Sequence, residues 1–209
     1  MLTKSQKTLL KLVGKRITVF HSERLPLDTP FIMVGNHQSY LDPLTMWYAT
    51  AKYCRRQMYF PAKHELRKYF GRLGNWLGML YIDTKDKAAV LKTANENLDQ
   101  GYCIGIFPES TRNRVSKINM LKGKTGAARL ALATGVPVIP TGIFVPKGAT
   151  MPQAVKNYFL SHDQFSITIG QPINFPKQSL ESLNYDQLVD TTRTIMKSIG
   201  KLCNKNYTY

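Results

Sequence analysis

Short apolar runs alternate with amphipathic helical patterns along most of the chain, and no other feature constrains its fold as tightly. The runs "FIMVG" (31–35), "QMYFPA" (57–62), "GMLYID" (78–83), "YCIGIFP" (102–108) and "VPVIPTGIF" (136–144) read as strands. Between them lie the helical patterns "PLTMWYATAKY" (43–53), "KHELRKYFGRLGNWL" (63–77, interrupted by Gly71 and Gly74), "KAAVLKTANENLDQG" (87–101) and "TGAARLALATG" (125–135). Further on, "QFSITIGQPI" (164–173) alternates like an outer strand, and "YDQLVDTTRTIMKSIGKLC" (185–203) closes as an amphipathic helix. Such alternation predicts an α/β fold: one domain with a mixed, mostly parallel sheet covered by helices. The 209 residues suit that size, and no repeat, linker or low-complexity tract divides them.

The N-terminal stretch 1–20 is set apart as a basic amphipathic helix, with 21–209 as the domain proper. Leu2, Leu9, Leu10, Leu12 and Val13 fall near one side, with Lys4, Lys7 and Lys11 largely opposite. Two readings stay open for it: an anchor lying on an anionic bilayer, or a helix docked on the protein's own core. Lysines and polar residues interrupt each apolar stretch there, so it does not read as a signal peptide. No segment approaches the ~18 uninterrupted apolar residues of a membrane span.

The formal net charge of +16 predicts attraction to an anionic partner, without choosing among lipid surface, phosphorylated substrate, acidic carrier protein or nucleic acid. Cys54, Cys103 and Cys203 are widely spaced and form no CxxC pair, which points to a reducing compartment rather than to disulfides or a metal. His21, His37, His64 and His162 are scattered without metal-ligand spacing, so no metal site is expected.

Two polar clusters stand out because each sits just past an apolar strand, where α/β proteins build sites. In "VGNHQSYLD" (34–42), Asn36, His37, Ser39 and Asp42 follow the first run. Asp-Pro is an ordinary helix start, with Asp42 as N-cap. His37 and Asp42 around one tight turn also make a candidate base and its orienter. In "GIFPESTRNR" (105–114), Glu109, Thr111, Arg112 and Arg114 follow the break at Pro108, and Lys122 and Lys124 lie beside glycines downstream. A guanidinium fork, a lysine and free N–H groups are what a phosphate needs, although a solvated basic loop has the same composition.

These blocks resemble the glycerolipid acyltransferases, the 1-acylglycerol-3-phosphate acyltransferase family. "NHQSYLD" is similar to the family's NHxxxxD block and "FPESTR" to its FPEGTR. "GMLYID", "KTGAARLA" (124–131) and "VPVIPTGI" (136–143) follow in family order, so the similarity runs from about Pro30 to Ile143. The resemblance implies an acyltransferase domain over 21–209 that acylates a lysophospholipid, foremost 1-acyl-sn-glycerol 3-phosphate, giving phosphatidic acid. His37 would be the base and Asp42 its orienter. Glu109, Ser110, Thr111, Arg112 and Lys124 would form the acceptor-binding set, with Arg112 and Lys124 on the phosphate and Glu109 ordering the loop or meeting a hydroxyl. No cofactor is implied: acyl-CoA or an acyl carrier protein thioester is the co-substrate. The implied setting is peripheral, on the anionic cytoplasmic face of the cell membrane.

Two departures bear on the acceptor. Ser110 stands where the family has glycine, at a cost of ~1 kcal/mol if that position needs positive φ. Thr84 stands where it has arginine, with Lys85 adjacent, so an acceptor other than the simple phosphate lysolipid is the alternative within the same chemistry. From another class, charge alone and the basic, aromatic stretch 51–80 would suit a nucleic-acid-binding module, but no recognised nucleic-acid motif accompanies them. The same cations could receive an acidic carrier protein.

Overall fold

Ile32–Gly35 forms strand β2, whose four residues are all buried. A strand without a polar face must be covered on both sides, which is how parallel sheets in α/β proteins are built. The computed structural model describes residues 3–83, 86–114, 116, 118–145, 150–160 and 165–209. Its strands are β1 (Ile17–Phe20), β2, β3 (Met58–Lys63), β4 (Met79–Ile82), β5 (Cys103–Ile106), β6 (Val138–Phe144) and β7 (Phe165–Ile169). They form one seven-stranded sheet in the order β1-β7-β6-β2-β5-β3-β4. Every pairing is parallel except β6 with β7. The sheet is thus mixed and mostly parallel, as the alternation of runs requires.

The helices are α1 (Lys4–Val13), α2 (Asp42–Ala49), α3 (Arg67–Trp76), α4 (Lys87–Asp99), α5 (Gly126–Thr134), α6 (Met151–Leu160) and α7 (Tyr185–Cys203). Alternate strand residues feed two cores. Met33, Ile139, Ile143 and Phe165 pack with residues of α1, α2 and α6. Ile32, Val34, Ile104 and Val138 pack with residues of α4, α5 and α7. Each fully buried aliphatic side chain contributes about 1.5–3 kcal/mol. Gly105 in β5 leaves room for the Phe60 ring, which a Cβ there would strike. Gly135, at φ 71°, ends α5 in the left-handed conformation that glycine adopts without a Cβ penalty.

Several expectations change. The helix expected over 43–53 is α-helical only to Ala49 and then widens into a π-helical turn, Thr50–Cys54, closed by Arg55 at φ 54°. The helix expected over 63–77 begins as a 3₁₀ turn, His64–Leu66, and kinks at Gly71 (φ 44°, ψ −130°). Strand β7, expected at the outside, is second from the edge, covered by β1. Its buried–half-buried alternation records one covered face, not an edge position.

Within the stretch 1–20, α1 is followed by the edge strand β1. Thr3 and Gln6 cap α1 reciprocally. Of its apolar residues, Val13 is buried and Leu9 and Leu10 pack on the protein's own core, while Leu12 is exposed. Gln6 donates from Nε2 to the Trp76 carbonyl at 2.9 Å, and the Tyr158 hydroxyl donates to the Val13 carbonyl. Docking on the core describes Leu9, Leu10 and Val13 of this helix, with Leu12 left outside it. Among the described residues no helix is long and apolar enough to cross a membrane.

Candidate active site

The site grows from the end of β2, at the centre of the sheet. The strand ends at Gly35, and Asn36 continues its pairing with a side chain instead of the backbone. Its Nδ2 donates to the Ile143 carbonyl at 2.9 Å and its Oδ1 accepts the Ile143 N–H at 2.7 Å. Asn36, fully buried, fixes the direction in which the chain leaves the sheet. His37 follows at the rim, its side chain 19% exposed.

His37 Nδ1 lies 2.8 Å from Asp42 Oδ2. The same oxygen accepts the backbone N–H groups of Gln38 at 2.6 Å and Ser39 at 2.8 Å. The carboxylate itself is 1% exposed. The expectation that Asp42 caps its helix is corrected here: Leu41 occupies the cap position, Asp42 is the first helical residue, and no side chain caps that end. Its carboxylate points back into the 37–39 turn, because three donors converge there and outcompete one N–H of the helix. A carboxylate that accepts from Nδ1–H leaves Nε2 as the basic nitrogen of the neutral ring. Phe107 stacks on the imidazole with centroids 4.3 Å apart, fixing the ring plane.

The second cluster comes from the end of β5, the neighbour of β2 in the sheet. Glu109 is 3% exposed and joins three pieces of chain. Its Oε1 accepts the His37 N–H at 3.0 Å and its Oε2 the Leu121 N–H at 2.9 Å. The Asn113 N–H donates to the His37 carbonyl at 2.7 Å, and the Asn113 side chain spans its own loop to Ser116 and Asn119. Both backbone groups of His37 are therefore held by the 109–113 segment. Hydrogen bonds to a buried carboxylate contribute about 1.5–3 kcal/mol each, enough to define one arrangement of the two loops.

Arg112 sits between these anchors, its Cζ 3.4 Å from the centroid of the Tyr40 ring. The guanidinium beside the phenol holds Tyr40 below the ordinary tyrosine range, first by hydrogen bonding and then by charge, with Arg114 adding to it. Among the described residues Arg112 Nη1 is buried without a hydrogen-bond partner, whereas buried donors are ordinarily paired. Ser110 has φ 59°, so the position does require positive φ and serine there carries the cost of about 1 kcal/mol. Thr111 and Lys124 are exposed, and the Lys124 N–H donates to the Pro108 carbonyl at 2.8 Å, which keeps that residue beside the 108–112 turn. Thr84, Lys85 and His162 lie outside the described residues.

The structure thus gathers His37, Asp42, Glu109, Ser110 and Arg112 at neighbouring strand ends. Sequence reasoning missed Tyr40, Phe107 and Asn113. An aromatic two positions before Asp42 and another just before Pro108 carry no signal without the fold, and Asn113 reads as one more polar loop residue. Burial pushes the thiols of Cys54 and Cys203 up to about 11 and that of Cys103 up to about 12, so none supplies a thiolate nucleophile near neutral pH. Among the described residues no group of three His, Cys, Asp or Glu could hold a metal ion.

A family model described as Acyltransferase matches residues 16–144. The chain is 29% identical over 197 residues to a 1-acyl-sn-glycerol-3-phosphate acyltransferase of Borreliella burgdorferi, covering 90% of this chain and 76% of that one. It is 26% identical over 202 residues to the protein of that name from Bacillus subtilis, covering 95% and 94%. The alpha protein of Ovis aries shares 36% identity over 137 residues, and there the match spans only 45% of the relative's length. A crystal structure of the 1-acyl-sn-glycerophosphate acyltransferase PlsC from Thermotoga maritima superposes with a TM-score of 0.61 at 23% identity, covering 100% of this chain and 86% of that one. At that identity the likeness bears on the fold.

Proposed function

The chain belongs to the acyltransferase family, and on that footing we propose that this O-acyltransferase moves a fatty acyl chain from a thioester to the free hydroxyl of 1-acyl-sn-glycerol 3-phosphate, giving phosphatidic acid. One observation carries the reading: His37, tied through Nδ1 to Asp42, stands on the same stitched pair of loops as an Arg112 whose buried Nη1 finds no partner among the described residues.

In this reading His37 Nε2 takes the hydroxyl proton as the acceptor oxygen attacks the thioester carbonyl carbon. Asp42 stabilises the imidazolium that forms. The tetrahedral oxyanion collapses, the carbon–sulfur bond breaks, and the imidazolium returns its proton to the departing thiolate. No covalent enzyme intermediate is needed, since a thioester is already activated. The oxyanion needs preorganised donors. The N–H groups of His37, Gln38, Ser39, Ser110, Asn113 and Lys124 are already engaged, so the donors come from elsewhere on the rim.

Arg112, with Lys124 beside the same turn, takes the acceptor's phosphate, turning binding energy into placement of the hydroxyl. The Tyr40 ring holds the guanidinium flat, so one face packs and the donor edge serves the phosphate. Arg112→Ala is expected to raise the acceptor KM about tenfold or more, with a smaller fall in kcat. Tyr40→Leu should reproduce part of that rise and Tyr40→Phe little of it. An unchanged KM in Arg112→Ala would remove the phosphate assignment.

The direct test presents purified protein with a panel of lysolipids and with labelled acyl-CoA and acyl carrier protein donors. Transfer to the phosphate-bearing lysolipid above all others is expected. Preference for a different headgroup would favour the second reading, the same reaction on another lysolipid, to which Thr84 in place of the family's arginine points. No transfer from either donor would overturn the function.

A further inference from the structure

The strand register shows which surface shares the site's end of the sheet. Gly35, where β2 finishes, pairs with Thr141 of β6. Beyond it, Phe144 ends β6 opposite Ser166 of β7, and Phe165 pairs with Ile17 of β1. Strands β7 and β1 therefore begin at the end where β2 delivers His37. Helix α6 is tied to that end. Its Tyr158 packs on Phe165 with centroids 4.5 Å apart and hydrogen-bonds the carbonyl of Val13, the last residue of α1.

With Ala154 and Tyr158 turned inward, α6 presents Val155, Phe159 and Leu160 to solvent, 37%, 51% and 66% exposed. Leu12, next to Val13, is 53% exposed. The charged residues of α1 and α6 have one sign. Lys7, Lys11, Lys15 and Lys156 are all exposed, and the sequence has no Asp or Glu before Glu23 or between Glu109 and Asp163. A second copy of a chain carrying +16 is repelled from such a face, and a nucleic acid, whose bases can stack on Phe159, has no use for the aliphatic Leu12, Val155 and Leu160. An anionic bilayer uses both parts, apolar side chains below the headgroups and lysines among the phosphates.

We propose that the outer face of α6, together with Leu12, seats this protein on an anionic lipid surface, with the α1 lysines as its electrostatic rim. The helix whose apolar side was the sequence candidate for an anchor spends most of that side on the core; the membrane-facing apolar residues come chiefly from α6. Because this face and His37 lie at one end of the sheet, a lysolipid reaches the imidazole without leaving the bilayer. That consequence rests on the lysolipid reading; the surface itself does not.

The test is co-sedimentation of the full chain with vesicles of phosphatidylcholine mixed with phosphatidylglycerol, and with vesicles of phosphatidylcholine alone. The double variant Phe159→Ser, Leu160→Ser removes exposed side chains only, so its thermal unfolding should match the parent. Its affinity for the mixed vesicles is expected to fall about tenfold or more. Parent binding should weaken when phosphatidylglycerol is omitted. Turnover of lysolipid embedded in vesicles should fall with affinity, while turnover of a short-chain, monomeric lysolipid stays at the parent level. Parental vesicle affinity in the double variant overturns the proposal. So does a parent that sediments as a dimer and a variant that sediments as a monomer, since the face then joins two copies. A parent that turns over neither acceptor refutes the lysolipid reading, and the vesicle comparison still decides the surface.

Discussion

His37→Ala is expected to lower kcat by about 10³-fold or more while leaving the fold and the KM for the acceptor close to native. The expectation follows from what the imidazole does for structure and what it does for chemistry. Its backbone is held from outside, by Glu109 on the N–H and Asn113 on the carbonyl, and neither bond needs the ring. The ring is part-exposed and, among the described residues, makes one polar contact, to Asp42, besides its stack on Phe107. Removing it leaves an aspartate that still accepts two backbone N–H groups. The fold therefore survives with a loss of stability of about 1.5–3 kcal/mol, the worth of one bond to a buried carboxylate, whereas the hydroxyl loses the group that takes its proton. Acyl transfer in stopped time courses, beside a thermal melt of the same preparation, separates the two effects. Parental turnover would place the base elsewhere.

Asp42→Asn is expected to cost about 10²-fold or more in kcat, and its reason differs. Three donors meet at Oδ2, so the amide should keep its oxygen there and turn its NH₂ toward the Oδ1 position, which is buried without a hydrogen-bond partner among the described residues. The tautomer of His37 then survives, and what disappears is the negative charge that stabilises the imidazolium. Charge-assisted bonds also become neutral ones, so a loss of stability of about 1–3 kcal/mol accompanies the change. With His37 and Asp42 proposed to act as one unit, the double variant should be no slower than His37→Ala alone. Equal kcat for Asp42→Asn and the parent would reduce the carboxylate to a structural tie.

How much of this was legible in the sequence depends on range. The central strands read correctly because both of their faces are covered, so β2, β5 and β6 show continuous apolar runs that nothing else explains. Strand β1 did not: four residues with one buried position give too short a pattern to separate from loop. Helix α6 buries Ala154 and Tyr158 and turns Val155, Phe159 and Leu160 outward, so the apolar residues of its sequence do not mark its core face. Strand β7 showed its half-covered face, but a residue pattern cannot say which strand lies beyond it.

The same distinction runs through the site. His37 and Asp42 were readable as a pair because five residues around one turn bring them together whatever the rest does. Glu109 was visible as a polar residue past a strand, but its bonds to His37 and Leu121 span segments that only the β2–β5 register aligns. The Asp-Pro start pointed to a cap, and the structure turned the carboxylate the other way because local competition among donors is invisible to a dipeptide rule. Tyr40 and Asn113 belong to the contacts between loops, where sequence spacing carries no information.

The central claim is that His37 is held by Asp42 as a neutral ring with its proton on Nδ1 and its lone pair on Nε2, facing the acceptor. Nitrogen-15 NMR of histidine-labelled protein, at a pH where this imidazole is neutral, reads that directly. A pyrrole-type Nδ1 and a pyridine-type Nε2 for His37, lost in Asp42→Ala, is the expected result. The opposite tautomer, or a mixture unaffected by removing the carboxylate, would contradict it.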